Sequence, residues 1–429
     1  MDKLFKLREH GTTVPKEIVA GLTTFLTMAY ILAVNPGMLA ATGMPIGGVF
    51  TATALASAIA TLVMAFAANL PVALAPGMGL NAFFTYTVVF GMGYSWQIAL
   101  TAVLLEGLLF VILSLFNVRE AIIKAIPANL KKAVAVGIGL FIALIGLANA
   151  GVVVNDAGTV IGLGSLTSGT ALVALIGLAI TIVLYALKVP GSILVGILLT
   201  TLVGIPFGVT TIPQGFSPLS LPAAPLFAQF DFSSVLSLEF FTVFFTFLFV
   251  DIFDTVGTLV GVTTQAGLIN KHGEIPKVKQ ALLADAVGTV AGAVLGTSTV
   301  TSYVESTAGV AAGGRTGLTS LTTGILFVLA LFLSPLFLLI PSAATTPALV
   351  MVGFLMMSSV TSINFADPTE GIPAFLAIVM MPFAYSIADG IVYGILSYVI
   401  LKAVTGKFKD ISALTWVLFV IFVLRFIIS

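Results

Sequence analysis

Five acidic residues stand inside long apolar stretches of this 429-residue sequence, and none has a lysine or arginine within its own stretch. These residues are Glu106, Asp251, Asp254, Asp285 and Glu305. A charged side chain at the centre of a bilayer costs roughly 2.5–3.5 kcal/mol on insertion scales. Without a cation nearby, each carboxyl is expected to be protonated, hydrogen-bonded to backbone or bound to a ligand. The pattern favours reversible protonation or ligand binding within a membrane.

Asp251 and Asp254 lie three residues apart in FFTFLFVDIFDTVGTLVG (244–261). On a helix this spacing places both side chains on one face. Two neighbouring carboxylates resist joint ionisation, so one can hold a proton while the other binds a substrate. We predict substrate binding and proton coupling for Asp251. Asp254 is either a proton carrier or a support for the site.

Glu305 and Asn81 stand at matching places in the two halves of the chain. Glu305 is predicted to begin a short helix, whose dipole favours an ionised carboxylate, and it is assigned substrate binding and proton coupling. Asn81 offers hydrogen-bond donors and an acceptor. Glu106 and Asp285 are interpreted as ties between helices, with a functional role as the alternative.

Two apolar spans contain residues that an unbroken helix would avoid. The segment PVALAPGMGLNAFFTY (71–86) is rich in proline and glycine, and GTSTVTSYVESTAGVAAGG (296–314) begins with β-branched and hydroxyl residues. Proline removes a backbone donor, and glycine costs about 1 kcal/mol relative to alanine in a helix. Each segment is predicted to be a short extended stretch followed by a half-helix that lines a cavity. The alternative is two continuous helices with packing glycines.

The composition requires lipid as the solvent. Hydrophobic residues make up 59% of the chain and charged residues 8%, against roughly 25% charged in a globular domain. The 17 basic and 17 acidic residues balance, which gives no indication of a nucleic-acid partner. The absence of cysteine and the presence of two histidines argue against disulfides, a thiolate site or a His-rich metal centre, and no cofactor is expected.

A membrane-crossing helix needs about 20 apolar residues, and the sequence contains fourteen or fifteen such stretches. They lie near 17–40, 45–69, 71–90, 95–117, 127–150, 169–187, 190–208, 238–260, 279–296, 297–313, 317–340, 345–362, 371–387, 388–405 and 411–428. Whether 411–428 spans the membrane or lies in its interface is left open, and Arg425 near its end fits either. The polar residues 1–17 are not expected to belong to a cleaved signal peptide.

Basic residues collect after even numbers of crossings, which predicts a cytoplasmic N-terminus. They are Lys3, Lys6, Arg8, Lys16, Arg119, Lys124, Lys131, Lys132, Lys188, Lys271, Lys277, Lys279, Arg315, Lys402, Lys407 and Lys409. The loop 209–237 separates two sets of seven spans, and an odd number in each set implies halves of opposite topology. Residues 169–204 and 371–406 also align without gaps.

Four segments resemble one known family of transporters. PGMGLNAFFTYTV (76–88), FVDIFDTVGTLVG (249–261) and TSYVESTAGVAAGGRTGLTSL (301–321) resemble signatures of the AzgA-like purine permeases, and TTFLTMAYILAVNPGML (23–39) is similar to their first helix. These hypoxanthine, guanine and adenine permeases belong to the nucleobase–cation symporter superfamily, which includes the nucleobase–ascorbate transporters.

The resemblance implies an all-α polytopic membrane protein of 14 transmembrane helices in two inverted repeats of seven. Short antiparallel strands would lie in helices 3 and 10. A core domain would comprise residues 12–117 and 238–340, and a gate domain residues 118–237 and 341–405. The apolar segment 406–429 goes beyond this plan as a possible extra helix.

The resemblance also implies that Asp251 and Glu305 bind the purine edge, that Asn81 supports the site and that Asp254 is important for function. Weaker site assignments, placed by proximity, are Tyr303, Ser302 and Thr27. From chemistry alone, Phe83 or Tyr303 is suited to cover a face of a flat, neutral purine.

The predicted function is secondary active uptake of purine nucleobases with protons across the cell inner membrane, by movement of the core against the gate. The alternative is an anion transporter or exchanger on the same fold. An enzyme is disfavoured because no nucleophile–base pair or metal set is found in the sequence. Hypoxanthine, guanine and adenine stay open as substrates, as do sodium as the coupling ion and a homodimer as the assembly.

Overall fold

A computed structural model describes residues 2–115, 127–156, 158, 160–167, 169–269 and 275–428. The chain is mostly helical. Within the described residues, ten helices are long and apolar enough to cross a membrane, and four further apolar helices are shorter. Helices dominate because lipid offers no partner to backbone N–H and C=O groups, which must pair within their own segment. The prediction of a helical, multi-pass membrane protein is confirmed.

The helices follow the hydropathy of the sequence. They are α1 Asp2–Phe5, α2 Val14–Met28, α3 Ile31–Ala40, α4 Ile46–Val63, α5 Met78–Ala82, α6 Trp96–Leu115, α7 Ala128–Asn149, α8 Gly169–Ala186, α9 Ser192–Gly204, α10 Leu238–Gln265, α11 Val278–Leu295, α12 Ser306–Ala311, α13 Gly317–Ala330, α14 Ser334–Leu338, α15 Ser342–Met357, α16 Pro368–Phe383, α17 Ile387–Val404 and α18 Ala413–Ile428. π-Helical turns at Met64–Ala68 and Phe83–Gly91 extend α4 and α5.

Two of the apolar segments are broken by short strands. Strand β1 (Leu74–Pro76) precedes α5, and strand β4 (Val300–Ser302) precedes α12. The strands pair in antiparallel register, with Ala75 opposite Thr301. This pairing satisfies backbone groups that would otherwise be unpaired at membrane depth. A second pair, β2 (Val153–Asp156) and β3 (Val160–Leu163), forms a largely exposed hairpin that the sequence analysis did not predict.

The helices pack mainly in two sets. Helices α2, α4, α6, α11 and α13 contact one another most extensively, and α7, α8, α9, α15, α16 and α17 do the same. Within the second set, α7 and α15 approach closely at Gly139 and Gly353. A Cβ atom added to Gly353 would lie 2.5 Å from the backbone oxygen of Gly139. The absence of a side chain therefore permits this contact.

Helix α18 packs along α17, and its Phe422 ring lies 6.0 Å from Phe245 of α10. The apolar segment at the C-terminus is thus a helix that packs against α17 of the second set and against α10. Of the basic residues used to predict orientation, Arg119, Lys124 and Lys271 lie outside the described residues, as does the side chain of Arg425.

Candidate functional site

A large cavity of about 1560 Å³ lies where the two broken segments meet α2, α7 and α10. Among the described residues that line it, the acids are Asp254 and Glu305, and the bases are Lys131, Lys132 and Lys188. The lysines lie near the start of α7 and just beyond the end of α8. The cavity therefore extends from an acidic wall to one basic end of the helix bundle.

Glu305 is presented to the cavity by the second broken segment. It occupies the position just before α12 and is half-buried. Its Oε1 accepts a hydrogen bond of 2.5 Å from the Tyr30 hydroxyl, and its backbone oxygen accepts one of 3.4 Å from Thr27 Oγ1. Thr27 also lines the cavity. Among the residues that the structure describes, Tyr30 is the one side chain that donates a hydrogen bond to the Glu305 carboxylate.

Asp254 reaches the same cavity from α10. Its Oδ2 accepts a hydrogen bond of 3.2 Å from Thr301 Oγ1, so a strand residue holds the carboxylate of a neighbouring helix. Thr301 is buried, whereas Asp254 is half-buried. Each cavity-facing acid thus has one oxygen engaged by a hydroxyl group. The other oxygen of each carboxylate accepts no bond from another side chain within the described part of the chain.

Asp251 lies away from this cavity. Its side chain is fully buried and is not among the residues that line the space. Glu106 and Asp285 are also fully buried, Glu106 accepting a hydrogen bond of 3.4 Å from Thr299 and Asp285 one of 2.6 Å from Thr255. The structure therefore separates the acids into a cavity-facing pair and a buried set.

Asn81, Tyr303 and Ser302 belong to the framework of the two strands. Asn81 Oδ1 accepts a hydrogen bond from Ser298, and its Nδ2 donates to the Pro76 oxygen at 3.5 Å. The Tyr303 hydroxyl donates to the same Pro76 oxygen at 2.5 Å. Ser302 is buried in β4, and its Oγ has no hydrogen-bond partner among the described residues. These contacts fix the position of β1 relative to β4.

Phe83 is fully buried and packs edge-to-face against Phe247, with ring centroids 4.8 Å apart. It does not line the cavity. Of the predicted site residues, the structure thus brings Thr27, Asp254 and Glu305 together on one wall, and it places the others behind that wall.

The site contains two residues that were not predicted from the sequence, Tyr30 and Thr301. Their hydroxyl groups bond to acids that lie 275 and 47 positions away. Tyr30 stands in the quoted segment 23–39, three residues after Thr27, and Thr301 begins the quoted segment 301–321. Both residues could therefore have been considered from the sequence because they lie in segments that resemble the purine permeases.

Comparison with known proteins agrees with this architecture. A family model described as the permease family matches residues 15–393. The chain belongs to the permease family. This permease is therefore a transporter and not an enzyme, and its predicted resemblance to purine permeases is confirmed by the relatives it matches.

Two relatives align with the permease along its whole length. The guanine/hypoxanthine permease PbuG of Bacillus subtilis (strain 168) is 47% identical over 438 residues, which cover 100% of this chain and 99% of the relative. The adenine permease AdeQ of Escherichia coli (strain K12) is 44% identical over 428 residues, covering 100% and 96%.

A solved structure has a similar fold. The transmembrane domain of the cyanobacterium bicarbonate transporter BicA superposes with a TM-score of 0.65 at 17% identity, covering 89% of this permease and 97% of that chain. At this identity the likeness describes the fold alone.

Proposed function

We propose that this permease takes up purine nucleobases together with protons. The observation that carries the proposal is that Asp254 and Glu305 face one cavity at the junction of the broken segments. The names of relatives at 44–47% identity, an adenine permease and a guanine/hypoxanthine permease, support purines as the substrate class.

The two acids are suited to the edge of a purine. A purine base is flat and neutral, and its edge carries N–H donors that carboxylate oxygens accept. Tyr30 and Thr301 engage one oxygen of each acid, so each carboxylate offers its other oxygen to the base. Thr27 contributes a hydroxyl to the same wall, whereas Asn81, Tyr303, Ser302 and Phe83 act through the framework behind it.

A proton accompanies the base because the site concentrates acids. Two carboxylates in one desolvated site resist joint ionisation, so protonating one lowers the cost of occupying the cavity. Asp254 and Glu305 are the acids that the cavity reaches. Asp251, which lies one helix turn from Asp254 and is closed off from the cavity, is the further acid in this proton transfer.

Transport would proceed by alternating access of a core domain, residues 12–117 and 238–340, against a gate domain, residues 118–237 and 341–405. Residues 406–429 would form an additional C-terminal helix. The separation of helix contacts into two sets supports this division. The matched arrangement of β1 with α5 and β4 with α12 supports a plan of fourteen helices in two inverted repeats of seven.

The cavity extends to the helix ends that carry Lys131, Lys132 and Lys188. Because basic residues collect on the cytoplasmic side, we assign this end to the cytoplasm and the conformation to an inward-facing state. The N-terminus would lie on the same side of the cell inner membrane. We propose a homodimer as the assembly of this permease in the membrane.

An anion transporter is the second candidate, because a bicarbonate transporter has a similar fold. The acidic wall argues against it, since the carboxylates of Asp254 and Glu305 would repel an anion. Binding decides between the two: radiolabelled purine binds and is displaced by unlabelled purine but not by bicarbonate or sulfate if the proposal holds, whereas radiolabelled bicarbonate or sulfate binds and purine does not compete under the alternative.

Equilibrium binding of radiolabelled hypoxanthine, guanine and adenine to the purified permease tests the proposal. We expect binding of at least one base, lost in Asp254→Asn and Glu305→Gln. The matched control is Glu9→Gln, which changes an exposed acid. Absence of purine binding to the folded wild-type protein refutes the substrate class. Wild-type binding that both variants retain refutes the site.

A further inference from the structure

The first span is tied by side chains to both ends of the segment that contains β4. Asn35 of α3 donates hydrogen bonds to Thr297 Oγ1 at 2.8 Å and to Thr53 Oγ1 at 2.7 Å. At the other end Tyr30 donates to the Glu305 carboxylate, and Thr27 Oγ1, which also lies 2.8 Å from the Thr24 backbone oxygen, lies 3.4 Å from the Glu305 backbone oxygen. Residues 297–305 are thus held from one side by the single span formed by α2 and α3. This span therefore positions Glu305.

Tyr30 stands at a break in this span. Helix α2 ends at Met28, and α3 begins at Ile31, so Tyr30 lies in the turn between them. Its side chain is 1% exposed, and its hydroxyl lies 2.5 Å from Glu305 Oε1. A phenylalanine would fill nearly the same volume in this core. The oxygen of Tyr30 therefore serves to hold the carboxylate in addition to the packing of the ring.

We propose that Tyr30 is a positioning residue that fixes the Glu305 carboxylate for substrate binding and proton transfer. The hydroxyl donates to Oε1, which restricts rotation of the carboxylate, and Oε2 is the oxygen that accepts no bond from a side chain among the described residues. One purine donor, or one proton, is then received at a defined atom. This inference rests on the proposed function, since it names how one acid of that site is oriented.

The test compares Tyr30→Phe with wild type in equilibrium purine binding, measured from pH 5 to 9. We expect about tenfold weaker binding, the factor associated with one hydrogen bond to a charged group. We also expect the pH dependence of binding to be displaced, because the change acts on a titrating acid. The matched control is Tyr398→Phe, which removes a buried hydroxyl bonded to the Asp410 backbone oxygen at 3.2 Å. The control keeps wild-type affinity and pH dependence.

Two outcomes overturn the inference: unchanged or tighter binding by folded Tyr30→Phe, or weaker binding with an unchanged pH profile, which indicates a structural role alone. If Tyr30→Phe does not fold, 4-aminophenylalanine at position 30 keeps the ring and a hydrogen-bond donor at the same place, and it weakens that donor while staying uncharged from pH 5 to 9. It is expected to displace the pH profile, and an unchanged profile refutes the inference. Failure of the wild-type protein to bind any purine instead refutes the proposed function.

Discussion

Replacing Gly77 by alanine is expected to disturb Asp254 through the strand beside it. Gly77 connects β1 to α5 with φ −72° and ψ 130°, a conformation that alanine adopts without strain. A Cβ atom there would lie 2.5 Å from Thr301 Cγ2 and 3.7 Å from Asp254 Oδ2. Because carbon atoms pack at about 3.5–4.0 Å, the Thr301 side chain must move by roughly 1 Å. Its hydrogen bond to Asp254, 3.2 Å long, cannot survive that movement.

The size of the effect follows from two costs. Inserting a methyl group into a packed core costs about 1–3 kcal/mol, and a hydrogen bond to a charged group contributes about 1.5–3 kcal/mol. Part of the cost of the added methyl group falls on the unliganded protein as well, and that part does not weaken binding. We therefore expect the purine dissociation constant to rise at least about tenfold, which corresponds to about 1.4 kcal/mol.

A second substitution should repair the damage. Thr301→Ser removes the methyl group that the new Cβ would meet and keeps the hydroxyl that bonds to Asp254, so Gly77→Ala/Thr301→Ser is expected to regain most of the lost affinity. Gly37→Ala is the matched control, because a Cβ atom there meets nothing within 4 Å. Isothermal titration calorimetry measures all four proteins. Unaltered affinity in Gly77→Ala, or failure of the double variant to recover, contradicts the reasoning.

Three further perturbations have defined outcomes. Thr301→Val, which removes the donor to Asp254 while keeping the shape, is expected to weaken purine binding about tenfold. Thr200→Val is the control, because the Thr200 hydroxyl donates to Gly196 of its own helix; it should leave binding unchanged, and equal losses would count against the assignment. Glu17→Ala removes the acceptor of four hydrogen bonds near the start of α13 and should cost about 3 kcal/mol of stability, seen as a lower Tm; an unchanged Tm contradicts this. Hydrogen bonds from Lys407 and from the backbone and hydroxyl of Thr369 lower the pKa of Asp367 to about 2. Asp367→Asn should therefore lower Tm above about pH 4 and lose its effect as the pH falls toward 2; a pH-independent difference rules out this origin.

Much of the fold could be predicted because lipid imposes it. A stretch predicted as 45–69 is helical over Ile46–Val63 with a π-helical turn to Ala68, and one predicted as 127–150 is helical over Ala128–Asn149. The length of the uninterrupted apolar stretch determines where such helices begin and end. The hairpin β2–β3 could not be predicted in this way, because its strands are four residues each and a search for apolar stretches of about 20 residues does not detect them.

The site was predictable in residue type and less so in placement. An acid in an apolar span is costly wherever it lies, so Asp251, Asp254 and Glu305 could be singled out without a structure. Their spacing on a helix does not reveal which of Asp251 and Asp254 faces a cavity, since that depends on neighbouring elements. The bond between Tyr30 and Glu305 joins two distant spans, and no local pattern predicts it. The inverted-repeat plan and the cytoplasmic N-terminus stay predictions.

Uptake by proteoliposomes tests whether this permease moves purines together with protons. Labelled adenine, guanine and hypoxanthine are supplied outside vesicles that hold the purified protein, with and without an imposed inward pH gradient. We predict uptake of at least one base, which the gradient accelerates, a protonophore abolishes and the Glu305→Gln variant lacks. Uptake indifferent to both the gradient and the protonophore contradicts proton coupling, and absence of any purine uptake contradicts the claim itself.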